Sequence, residues 1–418
     1  MHHFHYRNDR LFCENVSLEA IAAEVGTPFY CYSHATLSRH FVAFDDAFAD
    51  VDHLTCFSVK SCSNIAVLRL FASLGAGMDI VSGGELYRAL QAGVAPEKIV
   101  FSGVGKTEEE ITFALEQGIL MFNVESAQEM AAVNSCARRL GCRAPVAIRV
   151  NPDVDPRTHP YIATGLKQNK FGIDFDSAEA QYLEAKSLSH VEIVGVDCHI
   201  GSQVTEISPF VDALGRLRDL VERLARFGIH IRYLDLGGGL GITYADEEPP
   251  HPREYARALG QGLLGLDCRL IFEPGRVIVG NAGVLVTRVL YTKQTSVKRF
   301  VIVDAGMNDL VRPSLYDSYH QIQPVSKKQR PRVRVDVVGP ICETGDFLAK
   351  DRELVEPEPG DLLAVMSAGA YGFVMASNYN SRPRPPEVMV KDDEFATIRC
   401  RETVADLVRG ETLPEFLG

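Results

Sequence analysis

The sequence predicts an α/β protein built as a TIM-like (β/α)8 barrel with a second, mainly β domain. Three observations predict it. Eight short β-rich apolar runs recur between Cys56 and Arg276, the runs are separated by stretches with helical spacing of apolar residues, and after Arg276 the pattern changes to β runs divided by turn-rich segments. Strands that alternate with helices and are apolar on both faces pair in parallel, and eight such units close into a barrel.

The eight runs, in order, are CFSVK, AGMDIVS, KIVFSG, LMFNVE, VAIRVN, VGVDCHIG, YLDLGGG and LIFEPGR. Between them Asn64 to Ser73, Gly83 to Ala92 and Ser126 to Leu140 place apolar residues three and four apart, which predicts helices. From Val284 onward come VLVTRVLYT, RFVIVDAG, VRVDVVG, DLLAVMS and PEVMV, separated by turn-rich or proline-rich segments such as Gln323 to Pro331 and Ser381 to Pro386. The expected organisation is an N-terminal segment, residues 1–30, packing with the β domain, a barrel over 31–276, and the β domain over 277–418.

Composition narrows the function classes. A chain of 418 residues with 46% hydrophobic and 23% charged residues has material for a large core and reads as a folded soluble protein. A formal charge of −12 repels polyanions, so no nucleic-acid or acidic-membrane partner is expected. No apolar run approaches the length of a membrane span, and the start, MHHFHYRNDRLFC, lacks an apolar signal core. Ten scattered cysteines without a C-x-x-C pair fit free thiols in a reducing compartment, so a cytoplasmic location is expected. The early His2, His3 and His5 are interrupted by Phe4 and read as an exposed terminus, and no metal site is expected.

Two phosphate-loop lookalikes fail on spacing. Gly103-Val104-Gly105-Lys106-Thr107 has the tail of a P-loop, but its required first glycine is Val100. Gly237-Gly238-Gly239-Leu240-Gly241 follows a strand, but Ile242 stands where the dinucleotide fingerprint needs a glycine. A triple glycine can still present backbone amides to an anion, because no Cβ blocks the approach.

A stronger signal is where polar residues fall. In a barrel the site gathers at the C-terminal strand ends, which here carry Lys60, Asp79, Glu125, Arg149, His199, the glycines 237–239, and Glu273, Pro274, Gly275 and Arg276. Singly, each has a plain structural use, such as a helix cap for Asp79 or Glu125. Together they suit pyridoxal phosphate: a lysine amine freed by a partly dry site to join the aldehyde, glycine amides and the Gly275–Arg276 turn for the phosphate, Glu273 for the pyridine nitrogen, and a flat His199 ring to stack.

The chain resembles the pyridoxal-phosphate-dependent amino-acid decarboxylases of the alanine-racemase-like barrel fold, fold type III. The resemblance covers nearly the whole length through FSVKSCSN, GAGMDIVSGGEL, RVNPDVDPRTHPYIATG, KFGI, HIGSQ, LDLGGGLG, EPGR, DAGMNDLVRPSLYD, GPICETGD and SAGAYG. It implies Lys60 as the covalent cofactor lysine and His199 as the stacking residue. Further cofactor contacts are implied at Asp79, Ser202, Gly237 to Gly239, Glu273 to Arg276 and Tyr371. It also implies a homodimer with shared active sites, in which Cys342, the catalytic proton donor, and Glu343 of one subunit complete the site of the other. Arg276, Arg312, Tyr316, Glu343 and Tyr371 are the implied substrate contacts. The family's usual Tyr-Ala-Val-Lys-Ala-Asn is here Phe57-Ser58-Val59-Lys60-Ser61-Cys62, which leaves the packing beside the lysine open.

Within the family the motifs are most similar to the branch acting on meso-2,6-diaminopimelate, giving L-lysine and carbon dioxide in lysine biosynthesis. Charge supports that choice. The substrate's distal ammonium and carboxylate need both signs, which Glu343 and the Arg276 and Arg312 guanidiniums supply. Lysine or ornithine would leave the arginines without a carboxylate. The alternatives are a decarboxylase of another basic amino acid or polyamine precursor, an amino-acid racemase on the same scaffold, or a non-enzymatic regulatory relative. The last would have no need to keep Lys60, His199, Glu273, Cys342 and Tyr371.

Overall fold

The computed structural model describes residues 2–155 and 170–417, and the chain divides into two compact units. One runs from Ser38 to Ile278; the other joins the residues up to Leu37 with those from Val279 onward. The part of RVNPDVDPRTHPYIATG from residue 156 onward lies outside the described residues.

The first unit is a closed barrel of eight parallel strands: His53–Ser58, Gly77–Ile80, Ile99–Phe101, Met121–Val124, Ala144–Asn151, Val191–Asp197, Tyr233–Asp235 and Arg269–Phe272. The eighth strand returns to the first, with Leu270 opposite His53 and Phe272 opposite Thr55. Each of the eight apolar runs overlaps one of these strands. Helices Ile65–Ser73, Gly83–Gln91 and Ala127–Leu140 occupy the periodic intervals. Their first turns are capped by Asn64, Ser82 and Ser126, whose side chains accept from the backbone N–H groups of Ala66, Glu85 and Glu129.

Inside the barrel Leu54, Cys56, Val100, Met121, Ala147, Val194 and Ile271 form an apolar layer. Side chains two residues further along a strand point to the same face, so the next layer toward the C-terminal ends is polar. Cys56 is followed by Ser58, Val100 by Ser102, Met121 by Asn123, Ala147 by Arg149 and Ile271 by Glu273; with Asp79, Asp197 and Asp235 they are all buried. Phe57 faces the other way, its ring centroid 4.5 Å from that of Phe71 on helix Ile65–Ser73. The departure from the family's tyrosine at this position therefore alters strand-on-helix packing and leaves the barrel interior untouched.

The second unit is a mixed sheet centred on the long strand Gly283–Gln294, which pairs antiparallel with Phe29–Ser33, Arg299–Val303 and Leu362–Val365. Glu387–Lys391 lies parallel to Phe29–Ser33, which corrects the expected barrel start at residue 31. Strand Phe29–Ser33 is buried throughout and satisfies its backbone inside this sheet, so the barrel unit begins only at Ser38. Phe29, Cys31, Val284, Val286, Val388 and Val390 form the core, joined by Leu11, Leu18 and Ile21 from the N-terminal segment. A further strand, Phe347–Val355, lies at the sheet edge; the expected β runs did not include it.

Candidate active site in the barrel and its companion groups

Lys60 follows the first strand in a short 3-10 turn, Val59–Ser61, and its Nζ donates to Asp79 Oδ2 at 2.6 Å. Asp79 is fully buried and also accepts from Ser58 Oγ at 2.6 Å. Lys60 thus sits in an ion pair with a fully buried carboxylate, a charge partner that the expected partly dry site did not include. Asp79 is no helix cap either, because Ser82 performs that task. Glu85, on helix Gly83–Gln91, accepts from the Val81 N–H at 2.8 Å, and burial pushes its carboxyl up to about 7.

His199 follows the sixth strand, and its Nδ1 accepts from the Gly238 N–H at 3.1 Å. Burial, reinforced by the cations Arg149 and Lys60, holds the ring well below its usual titration range. A neutral ring that accepts at Nδ1 carries its proton on Nε2. The Gly237 N–H donates to Asp235 Oδ1 at 2.9 Å. Two of the three glycine amides are therefore spent on the chain's own side chains, which corrects the expectation that all three face an anion. The Gly239 N–H makes no hydrogen bond among the described residues. The glycines are required for space: a Cβ at Gly238 would lie 2.2 Å from the Glu273 carbonyl oxygen, and one at Gly239, where φ is +114°, 2.5 Å from that of Gly201.

Glu273 Oε1 accepts from Ser102 Oγ at 3.3 Å and from Asn123 Nδ2 at 3.4 Å, and Asn123 also donates to Asp235 Oδ2 at 3.2 Å. Carboxylate oxygens of Asp197, Asp235 and Glu273 lie within 4.8 Å of one another. Burial, with repulsion from Asp235, Asp79 and Asp197, holds the Glu273 carboxyl well above its usual range, and burial pushes Asp235 up to about 6. A cation placed beside Glu273 would act against these effects and favour its charged form.

Arg276 is buried; its Nη1 donates to Tyr244 Oη at 2.7 Å and its Nη2 to Ser202 Oγ at 3.0 Å. Tyr244 rides on a loop tied by Glu247, whose Oε2 accepts from the Tyr244 and Ala245 N–H groups at 2.9 and 2.7 Å. Glu125 and Arg149 pair with each other at 3.3 Å, and Glu125 also accepts from the Gly103 and Gly172 N–H groups. This makes them an internal brace. Lys106 of the failed P-loop is likewise structural, its Nζ 2.6 Å from Glu129 Oε1 and 2.8 Å from two carbonyl oxygens.

Sequence reasoning missed Ser58, Glu85, Ser102, Asn123, Asp197, Asp235 and Tyr244. The two-residue strand period, counted onward from the apolar layer, would have found Ser58, Ser102 and Asn123. Tyr244 sits on a loop, where no period applies.

The remaining expected residues belong to the second unit. Arg312 opens the short helix Arg312–Tyr316 and is buried, whereas Tyr316 at its other end is half-buried. Cys342 and Glu343 are exposed on a turn held by Asp346, which accepts from the Met307 and Ile341 N–H groups at 2.7 Å each. The Cys342 N–H donates to Asn380 Oδ1 at 2.7 Å. Tyr371 adopts φ +55°, a left-handed conformation that is costly for a residue with a Cβ. Its loop is fixed by close approaches: a Cβ at Gly369 would lie 2.0 Å from the Val279 carbonyl oxygen.

Residues 34–280 match the family model described as pyridoxal-dependent decarboxylase, pyridoxal binding domain. The chain is 57% identical over 410 residues to diaminopimelate decarboxylase of Pseudomonas aeruginosa, covering 98% of this chain and 99% of that one. It is 54% identical over 418 residues to the protein of the same name from Vibrio cholerae, covering 99% and 100%. Among solved structures, diaminopimelate decarboxylase from Helicobacter pylori complexed with L-lysine superposes with a TM-score of 0.91 at 44% identity, covering 94% of this chain and 98% of that one.

Proposed function

The chain belongs to the diaminopimelate decarboxylases, a branch of the pyridoxal-dependent decarboxylase family, and from this premise we propose a division of labour between its two units. The enzyme converts meso-2,6-diaminopimelate to L-lysine and carbon dioxide with pyridoxal 5'-phosphate as cofactor. The barrel holds the cofactor and contributes Arg276 to substrate binding, and the turns of the sheet unit make the choice among substrates.

The barrel residues fit that cofactor. Asp79 Oδ1 and Asn123 Oδ1 are buried without hydrogen-bond partners among the described residues, so the polar layer has acceptors to spare. Lys60 offers a primary amine beside them, Gly239 a backbone N–H, and Arg276 a cation that donates to the neutral hydroxyls of Ser202 and Tyr244. When bound, pyridoxal phosphate supplies an electron sink conjugated with the substrate's α carbon.

Each residue then has a task. Asp79 holds Lys60 Nζ in place until the amine is needed. Glu273 would hold the cofactor's ring nitrogen, its carboxylate balancing positive charge there. His199, neutral and protonated at Nε2, offers a flat face without adding charge. Arg276 and Arg312 answer the distal carboxylate and Glu343 the distal ammonium, with Tyr316 and Tyr371 alongside. After carbon dioxide departs, Cys342 Sγ returns a proton to the α carbon, completing L-lysine. The enzyme works as a homodimer in which Cys342 and Glu343 of one subunit complete the site of the other. It works in the cytoplasm, a reading supported by ten free thiols and by the lack, among the described residues, of a helix long and apolar enough to cross a membrane.

The observation that carries the assignment of the barrel is Lys60 poised 2.6 Å from a buried carboxylate at the mouth of an acid-lined layer. The test supplies purified protein and pyridoxal phosphate with meso-, L,L- and D,D-diaminopimelate, lysine, ornithine and arginine, and measures carbon dioxide. Release from the meso isomer above all others is expected. Release chiefly from ornithine or lysine would overturn the substrate, and interconversion of stereoisomers without carbon dioxide would favour a racemase.

A further inference from the structure

We propose that His320 is the positioning residue for Arg312, an uncharged acceptor that aims the guanidinium without neutralising it. The proposal rests on the reading of Arg312 as a substrate anchor. His320 is fully buried. Its Nδ1 lies 2.9 Å from the Met366 carbonyl oxygen, which can only accept, so Nδ1 carries the proton. In the neutral ring Nε2 is then left with its lone pair, and Arg312 Nε donates to it at 3.4 Å while Arg312 Nη2 donates to Ser318 Oγ at 3.3 Å.

The segment that carries these two acceptors is fastened from several sides. Arg352 Nη1 donates to the His320 carbonyl oxygen at 3.1 Å while its guanidinium carbon lies 3.8 Å from the centroid of the Tyr319 ring. The Met366 N–H donates to the Gln321 carbonyl oxygen at 2.8 Å, and the Ser318 N–H closes back on the Arg312 carbonyl oxygen at 3.4 Å. The two side-chain groups that accept these hydrogen bonds from Arg312, His320 and Ser318, are neutral. A carboxylate in the place of His320 would hold the guanidinium more strongly, but it would cancel the charge that a substrate carboxylate needs. An imidazole fixed in one tautomer supplies direction and leaves the charge in place.

Two substitutions separate positioning from mere structural support, because each keeps one half of the histidine. His320→Asn places an amide N–H near Nδ1, keeping the Met366 bond and losing the acceptor for Arg312. His320→Gln places a carbonyl near Nε2, keeping that acceptor and losing the Met366 bond. The holoenzyme of each is assayed for KM and kcat with meso-diaminopimelate, and for cofactor affinity by absorbance titration, with Arg312→Met as the reference.

The expected result is that His320→Asn raises KM about tenfold, the usual effect of losing a hydrogen bond to a charged group, with kcat and cofactor affinity held within about twofold. His320→Gln is expected to restore KM to within about threefold of wild type. A rise in KM with Gln but not with Asn, or equal rises with both, would overturn the proposal and make His320 a support for Met366. If His320→Asn does not fold, His320→Gln decides alone: KM near wild type supports the proposal, and a tenfold rise overturns it. Should Arg312→Met leave KM unchanged, the substrate reading itself fails, an outcome distinct from failure of the His320 variants alone.

Discussion

In the barrel unit the charged groups sit on strand ends, one pleat above an apolar layer, whereas in the sheet unit Arg312, Tyr316, Cys342, Glu343 and Tyr371 sit on turns and on a one-turn helix between strands. Strand ends in a closed barrel are held by pairing on both sides, so groups there can be buried, crowded and shifted in pKa without the layer spreading apart. Turns are free of that pairing and can present exposed groups outward. On the proposed division of labour the difference suits the two tasks: one fixed set of electrostatics for the cofactor, and one set on turns for the substrate.

The comparison is broken most severely by removing the group at its centre. Lys60→Ala should lower decarboxylation by at least about a thousandfold. Circular dichroism is needed alongside, because the buried Asp79 then loses its cation. Borohydride reduction of the wild-type holoenzyme should leave the pyridoxyl group on the Lys60 peptide; label on Lys106 or Lys170 would move the barrel's centre elsewhere.

A second test asks whether the sheet unit serves the partner's barrel. Lys60→Ala and Cys342→Ala should each be nearly inactive, and mixing them with subunit exchange should recover about a quarter of the original sites, since about half of random dimers are mixed and each mixed dimer has one intact site. An active Cys342→Ala protein, or no recovery after exchange confirmed by mass spectrometry, would remove Cys342 from a shared site.

Smaller effects sharpen the barrel side. Tyr244→Phe keeps the ring and deletes only the hydroxyl that accepts from Arg276, so kcat/KM should fall about tenfold; unchanged kinetics would make Tyr244 a packing residue. The acid layer should show in stability. Asp235 is pushed up to about 6 in the folded chain, above the ordinary carboxylate value of about 3.9. Between those values the folded state holds more protons than the unfolded one, so the group's contribution is full below about pH 4 and is lost as pH rises through about 6. The cofactor-free Tm of wild type should therefore fall over that window more steeply than that of Asp235→Asn, and equal slopes would mean that Asp235 titrates normally.

The eight barrel strands were legible in the sequence because burial on both faces makes each a short apolar run, and the helix starts because Asn64, Ser82 and Ser126 are capping residues next to periodic segments. Strand Phe29–Ser33 was legible as a strand but not as a member of the distant sheet, since the partner that claims it begins at Gly283. Strand Phe347–Val355 was hidden by its charges, Lys350, Asp351, Arg352 and Glu353, which an edge strand can turn to water. Lys60, His199 and Glu273 stood out as polar residues ending apolar runs. Tyr244 and His320 did not, because each acts through an arginine distant in sequence or across an irregular loop. The glycine amides misled for a related reason: His199 Nδ1 and Asp235 Oδ1 use them, and no spacing in the sequence announces those bonds.

The central claim, that the barrel unit holds the cofactor and the sheet unit selects the substrate, is tested most directly by measuring two constants on Arg312→Met: the dissociation constant for pyridoxal phosphate and kcat/KM for meso-diaminopimelate. The account predicts that cofactor affinity stays within about twofold of wild type, while kcat/KM falls by an amount corresponding to about 2 to 5 kcal/mol, the cost of leaving a substrate carboxylate without its guanidinium. Full kcat/KM in the variant, or a loss of cofactor affinity as large as the loss of turnover, would contradict it.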